Sequence, residues 1–138
     1  MDLRSKVEHV AVAVLLVTLC SAQKRFDSGW LKGFTKSPTE NVIVRLEKSF
    51  VVPAPKGNVV DIHGTAMHGV LVELEDSAGR IRQAKTDSMG RFTLHGLRKG
   101  HFRFKVTMDG FQSVVGEIII SKKAPRDDVI RVVMRPGI

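Results

Sequence analysis

Apolar and polar positions alternate along most of the chain. Val70, Val72 and Leu74 alternate with Leu71, Glu73 and Glu75. Phe92 and Leu94 alternate with Arg91, Thr93 and His95. Phe102, Phe104, Val106 and Met108 alternate with His101, Arg103, Lys105 and Thr107, and Ile130, Val132 and Met134 with Arg131 and Arg135. A period of two puts one side of each strand in a core and the other in solvent, the habit of antiparallel sheets. Ile118 to Ile120 is apolar on both sides and reads as a central strand. Asn41 to Leu46 and Phe50 to Val52 predict two further short strands. Pro53-Ala54-Pro55 follows them and interrupts any ladder, since proline has no N–H to give. No helical period of useful length occurs after residue 22.

The breaks between these runs carry turn chemistry. Asp76-Ser77-Ala78-Gly79 and Asp87-Ser88-Met89-Gly90 each place Asp first and Gly fourth, the pattern of a type I turn. Asp109-Gly110 predicts a tight hairpin. Gly96 and Gly100 bracket another reversal. Short strands at this spacing, with such turns, predict an all-β sandwich or barrel.

The first 22 residues follow a different pattern. Val10 to Leu19 is an apolar run interrupted only by Thr18, preceded by Arg4 and Lys6 and followed by Cys20-Ser21-Ala22. Its ten residues match the apolar region of a signal peptide and fall short of the roughly 20 needed to cross a bilayer. Cleavage is expected after Ala22, giving an extracytoplasmic (periplasmic or secreted) protein without its only Cys. A lipoprotein reading through Cys20 needs a small residue before it, and Leu19 is not small. Residues 23–56 form an N-terminal extension with a Pro-rich linker, and 57–138 the main domain.

The ordered motifs of that domain carry a family resemblance. Gly57-Asn58-Val59-Val60-Asp61-Ile62-His63-Gly64, then Gly69-Val70-Leu71-Val72-Glu73-Leu74, is similar to a G-x-V-x-D-x-x-G…G-V-x-V-x-L opening. Thr86-Asp87-Ser88-Met89-Gly90-Arg91-Phe92-Thr93-Leu94-His95-Gly96-Leu97 is similar to T-D-x-x-G-R-F-x-L-x-G-L. Gly100 to Val106, followed by Gly110-Phe111, supplies the last element. Together these resemble the carboxypeptidase regulatory-like domain. That resemblance implies a transthyretin-like Greek-key β-sandwich of about seven strands and a non-catalytic accessory role. Transthyretin-like folds include 5-hydroxyisourate hydrolases with a Tyr-Arg-Gly-Ser tail, but this sequence has no Tyr.

Charge sharpens the picture. The chain carries 22 Lys and Arg against 14 Asp and Glu, a net +8. From Arg80 to Lys105 there are eight basic residues and one acid, Asp87. Pairing across the Asp76–Gly79 turn is expected to set Glu75 against Arg80 and Glu73 against Arg82. That leaves Lys85, Arg91, Arg98, Lys99, Arg103 and Lys105 as a basic face, with Arg103 and Lys105 pointing outward beside His101. Such a face attracts an envelope or extracellular protein or an anionic glycan. No nucleic-acid partner is expected, because the Phe residues alternate inward and leave no stacking platform.

Two other chemistries compete. A carbohydrate-binding module would need an exposed aromatic face, for which Trp30 is the candidate. A small metal-binding protein or hydrolase would use His63 and His68, with Asp61 and Asp87 at the same end. Asp61 and Asp87 stand at turn positions, however, where a carboxylate bonds backbone amides. No Ser sits in a G-x-S-x-G motif. The expected function is binding without catalysis and without a cofactor.

Overall fold

The computed structural model describes residues 31–40 and 42–137. The leader expected over residues 1–22, with Cys20, and Trp30 lie outside the described residues. Nine strands are described, and all lie in the unit Gly33–Ile138: β1 (Ile43–Arg45), β2 (Phe50–Val52), β3 (Lys56–Asp61), β4 (Leu71–Glu75), β5 (Ile81–Lys85), β6 (Arg91–Thr93), β7 (Gly100–Thr107), β8 (Ser113–Ile120) and β9 (Ile130–Met134). They form an all-β sandwich. One sheet has the order β1-β8-β7-β4-β5, with β2 also on β8, and the other has the order β6-β3-β9.

The period-two runs place the core as expected. Val72 and Leu74 of β4, Phe104 and Val106 of β7 and Ile118 of β8 face Val59 of β3, Phe92 of β6 and Ile130, Val132 and Met134 of β9. Alternation fixes which side is buried but not the direction of pairing. β1 and β2 run parallel to β8, and β3 runs parallel to β9, while the β4–β5, β4–β7, β7–β8 and β3–β6 pairs are antiparallel.

One turn design recurs three times. In Asp61–Thr65, Asp76–Arg80 and Asp87–Arg91 the Asp N–H donates to the carbonyl four residues on. The Gly N–H donates back to the Asp carbonyl. Each Asp Oδ1 accepts two backbone N–H groups, from His63 and Thr65, from Ala78 and Arg80, and from Met89 and Arg91. Gly79 sits at φ +82°, so the Asp76 turn is a type I turn closed by a left-handed glycine, which inserts one extra residue into the hairpin. The β4–β5 register therefore differs from the expectation. Glu75 lies opposite Ile81, Leu74 opposite Arg82 and Glu73 opposite Gln83.

The segment 33–40 crosses the outer side of the large sheet as a strap. Glu73 Oε1 accepts the Thr35 N–H at 2.9 Å, and Glu73 Oε2 accepts the Thr35 hydroxyl at 3.1 Å and Gln83 Nε2 at 2.9 Å. Lys105 Nζ donates to the Thr35 carbonyl at 2.8 Å and pairs with Glu40 Oε1 at 2.7 Å. The Ser113 hydroxyl also donates to Glu40 Oε1. Farther along, Ser37 Oγ donates to Asp109 Oδ1 and Gly110 N–H to Thr39 Oγ1, both at 2.8 Å. Phe34, Ser37, Glu73, Lys105 and Ser113 are all buried.

Candidate functional site

The six basic residues singled out in the sequence do not form one face. Lys105 corrects the expectation most sharply: it is 1% exposed, sealed beneath the strap with Glu40. Its side is the polar side of β7, as the alternation indicates, but that side is covered. Arg103 is half-buried, ion-paired with Glu75, and its guanidinium lies 5.9 Å from the Phe34 ring centroid. Arg91 sits opposite Asn58 on the small sheet, beside Lys56 and Thr93. Lys85 is exposed near Ser37 and Asp109.

Arg98 and Lys99 are brought together with cations that sequence reasoning had assigned elsewhere. A cavity of about 420 Å³ opens at the Asp76 end of the sandwich, lined by Arg80, Arg82, Arg98, Lys99, His101 and Asp76 among others. Arg80 comes from the turn just before β5 and Arg82 from β5, Arg98 and Lys99 from the loop before β7, and His101 from β7 itself. Leu97 and Phe102 supply apolar wall. Because of the inserted turn residue, Arg82 shares the core-side face of the sheet with Leu74, at the open edge where the two sheets part. The left-handed glycine in Asp-x-x-Gly-x was the sequence signal that would have found this.

Asp76 is the one carboxylate lining the cavity, and it is already engaged. It accepts the backbone N–H groups of Ala78 and Arg80, and its Oδ2 pairs with Arg80 Nε at 3.2 Å. Among the described residues, Arg82, Arg98 and Lys99 have no carboxylate at ion-pair distance. A concave surface lined by unpaired cations concentrates positive potential and draws anions.

The backbone N–H of Arg80, more than any other influence, holds the Asp76 carboxyl below the usual carboxylate range. Partial burial opposes this, and the Ala78 N–H and the Arg80 charge add to it. The Arg91 N–H does the same for Asp87. A depressed folded value adds stability above the ordinary carboxylate pKa, and that stability is lost as pH falls through the folded value. Both carboxyls are therefore expected to titrate below the ordinary Asp range in an NMR pH series, and Asp76→Asn is expected to flatten the acid limb of stability against pH. Ordinary titration of both would show that the turn amides do not hold them.

The Asp61 and Asp87 carboxylates are bound to the amides of their own turns. Among the described residues, no three of His, Cys, Asp and Glu approach closely enough to hold a metal ion. Asp76, Ser77 and His101, residue types of hydrolytic triads, all line the basic cavity. Such a triad needs a base bonded to both its partners, and Asp76 spends its carboxylate on Ala78 and Arg80. Among the described residues, no helix is long and apolar enough to cross a membrane.

The sandwich, its Asp-x-x-Gly turns and the loop-lined cavity at one end describe a β-sandwich module. The carboxypeptidase regulatory-like domain model matches residues 56–135, and the chain belongs to that family, a regulatory and non-catalytic one. No curated protein matches it. Among solved structures, 3-chlorocatechol 1,2-dioxygenase from Rhodococcus opacus 1CP is similar at 15% identity, over 76% of this chain and 70% of that one, with a TM-score of 0.43. Chlorocatechol 1,2-dioxygenase from Pseudomonas putida is similar at 13% identity, over 75% and 69%, also with a TM-score of 0.43.

Proposed function

We propose that the chain is a non-catalytic, extracytoplasmic binding module that takes an anionic partner in the basic cavity at the Asp76 end. The observation that carries this reading is the convergence of Arg80, Arg82, Arg98, Lys99 and His101 on one cavity whose single carboxylate is bound to its own turn. Two segments separated in sequence, 80–82 and 98–101, supply these groups, so a solvated run of charge along one strand does not account for them. The extracytoplasmic part rests on the apolar run Val10 to Leu19. The intact mass of the protein recovered from its host, expected to correspond to a chain starting at Gln23, tests that part.

Dextran sulfate is a suitable probe of the cavity. Its binding is expected to weaken steeply with salt, since exposed charges are screened over about 8–10 Å at moderate ionic strength. The Arg98→Glu/Lys99→Glu protein is expected to bind at least about tenfold more weakly. Arg91→Glu, outside the cavity, is expected to change affinity by less than about twofold. Equal losses from both variants, or salt-insensitive binding, would remove the cavity from the proposal.

A further inference from the structure

The strand bordering the basic cavity is also an open edge. β5 ends the large sheet and pairs only with β4. The bonds at its two ends fix which backbone groups are used. Thr86 N–H donates to the Val70 carbonyl, and the Arg80 carbonyl accepts the Asp76 N–H. In an antiparallel ladder the bonded side alternates residue by residue. Arg82 and Ala84 therefore turn their N–H and C=O toward β4. Ile81, Gln83 and Lys85 turn theirs away, and among the described residues no strand meets them. Gln83 and Lys85 are exposed and Ile81 is half-buried.

Such an edge is a template for another chain. Its charge restricts which one. β5 reads Ile-Arg-Gln-Ala-Lys, with no carboxylate, and Arg80 precedes it. A second copy would bring two cationic edges together. β9, the five-residue edge of the small sheet, follows Asp127 and Asp128 instead. The faces of β5 differ as well. Arg82 is on the side of the cavity, with Arg98, Lys99 and His101 beyond it. Ile81, Gln83 and Lys85 are on the other side, which is apolar at Ile81.

We infer that an extended polypeptide with acidic residues at alternate positions adds to β5 as an antiparallel strand, its carboxylates entering the basic cavity. The inference rests on the proposed anionic partner and names its chemistry. Residues opposite Arg82 and Ala84 put their side chains on the cavity side and carry the acids. Residues opposite Ile81, Gln83 and Lys85 lie on the outer side and turn their N–H and C=O toward β5.

The test uses the blocked octapeptide Ac-(Glu-Val)4-NH2, two versions N-methylated on every Val or on every Glu, and dextran sulfate, each titrated into the full ¹⁵N-labelled chain. The parent peptide is expected to slow amide exchange at Ile81, Gln83 and Lys85 at least tenfold and to leave Arg82 and Ala84, already bonded, unchanged. Methylating the Val nitrogens removes the donors that face β5 and is expected to weaken binding at least tenfold. Methylating the Glu nitrogens, at the same charge, is expected to leave it within threefold. Equal binding of all three peptides, or loss on the Glu nitrogens instead, overturns the strand addition. So does exchange protection of the same amides that rises with protein concentration in the absence of peptide, which would seat a second copy on the edge. Dextran sulfate bound in the cavity with no peptide bound overturns the inference and leaves the anion site standing. Binding of neither removes both.

Discussion

Lys105→Met is expected to lower the unfolding free energy by about 3–5 kcal/mol, the usual cost of removing one partner from a buried ion pair. Lys105 lies beneath the strap with only 1% of its surface exposed. Its ammonium satisfies both Glu40, at 2.7 Å, and the Thr35 carbonyl, at 2.8 Å. Methionine fills the volume but leaves Glu40 charged and buried, with the Ser113 hydroxyl as its remaining donor. The double variant Lys105→Met/Glu40→Gln removes both charges and is expected to recover a large part of the loss. The exposed Lys85→Met sets the baseline, within about 0.5 kcal/mol of the parent. Urea denaturation with an unchanged slope is the measurement. A Lys105→Met midpoint matching that of Lys85→Met would mean that water reaches the pair and that the strap does not seal it.

Lys105 also shows where sequence reading stops. Period two separates the two sides of a strand, and it did so correctly on β7, where Phe104 and Val106 face the core and Arg103 and Lys105 do not. It does not say what covers the polar side. The covering segment, 33–40, has no period of its own. It is held by hydrogen bonds that Thr35, Ser37, Thr39 and Glu40 make with residues about 40 to 70 positions away, and no local pattern encodes such partners. Register was lost for a different reason. Asp76 and Gly79 marked the turn, but the extra residue that the left-handed glycine inserts moved Arg82 from Glu73 to Leu74. That single step turned Arg82 from a neutralised hairpin residue into cavity lining, while Arg80 keeps a carboxylate partner in Asp76. Core, strands and family, which depend on local alternation and ordered turn motifs, were legible. The cavity, built from two segments meeting in space, was only half legible, through Arg98 and Lys99.

Gly57→Ala is expected to be the more disruptive substitution, although it adds one methyl group. Gly57 opens a motif in which glycines read as turn residues, yet it lies within β3, the central strand of the small sheet, between Phe92 of β6 and Ile130 of β9. Its φ is not positive, so backbone conformation does not demand glycine there. Space does. A Cβ at this position would stand 1.8 Å from the Ile130 carbonyl oxygen and 2.7 Å from its carbon. Both are backbone atoms of a paired strand, so no side chain can turn aside to relieve the contact. β3 and β9 would have to separate, taking Val59, Ile130 and Val132 out of the core. Ordinary overpacking costs about 1–3 kcal/mol. This clash falls beyond that range and approaches the roughly 5–15 kcal/mol that holds a domain folded. Gly64→Ala is the matched control. Gly64 has φ +81° and nothing within 4 Å of its added Cβ, so it should lose only about 1–2 kcal/mol from the left-handed backbone. Thermal melts followed by circular dichroism are expected to show a cooperative, modestly lowered transition for Gly64→Ala and none for Gly57→Ala at room temperature and above. Equal melting temperatures would show that β3 and β9 do not pack backbone to backbone at this point.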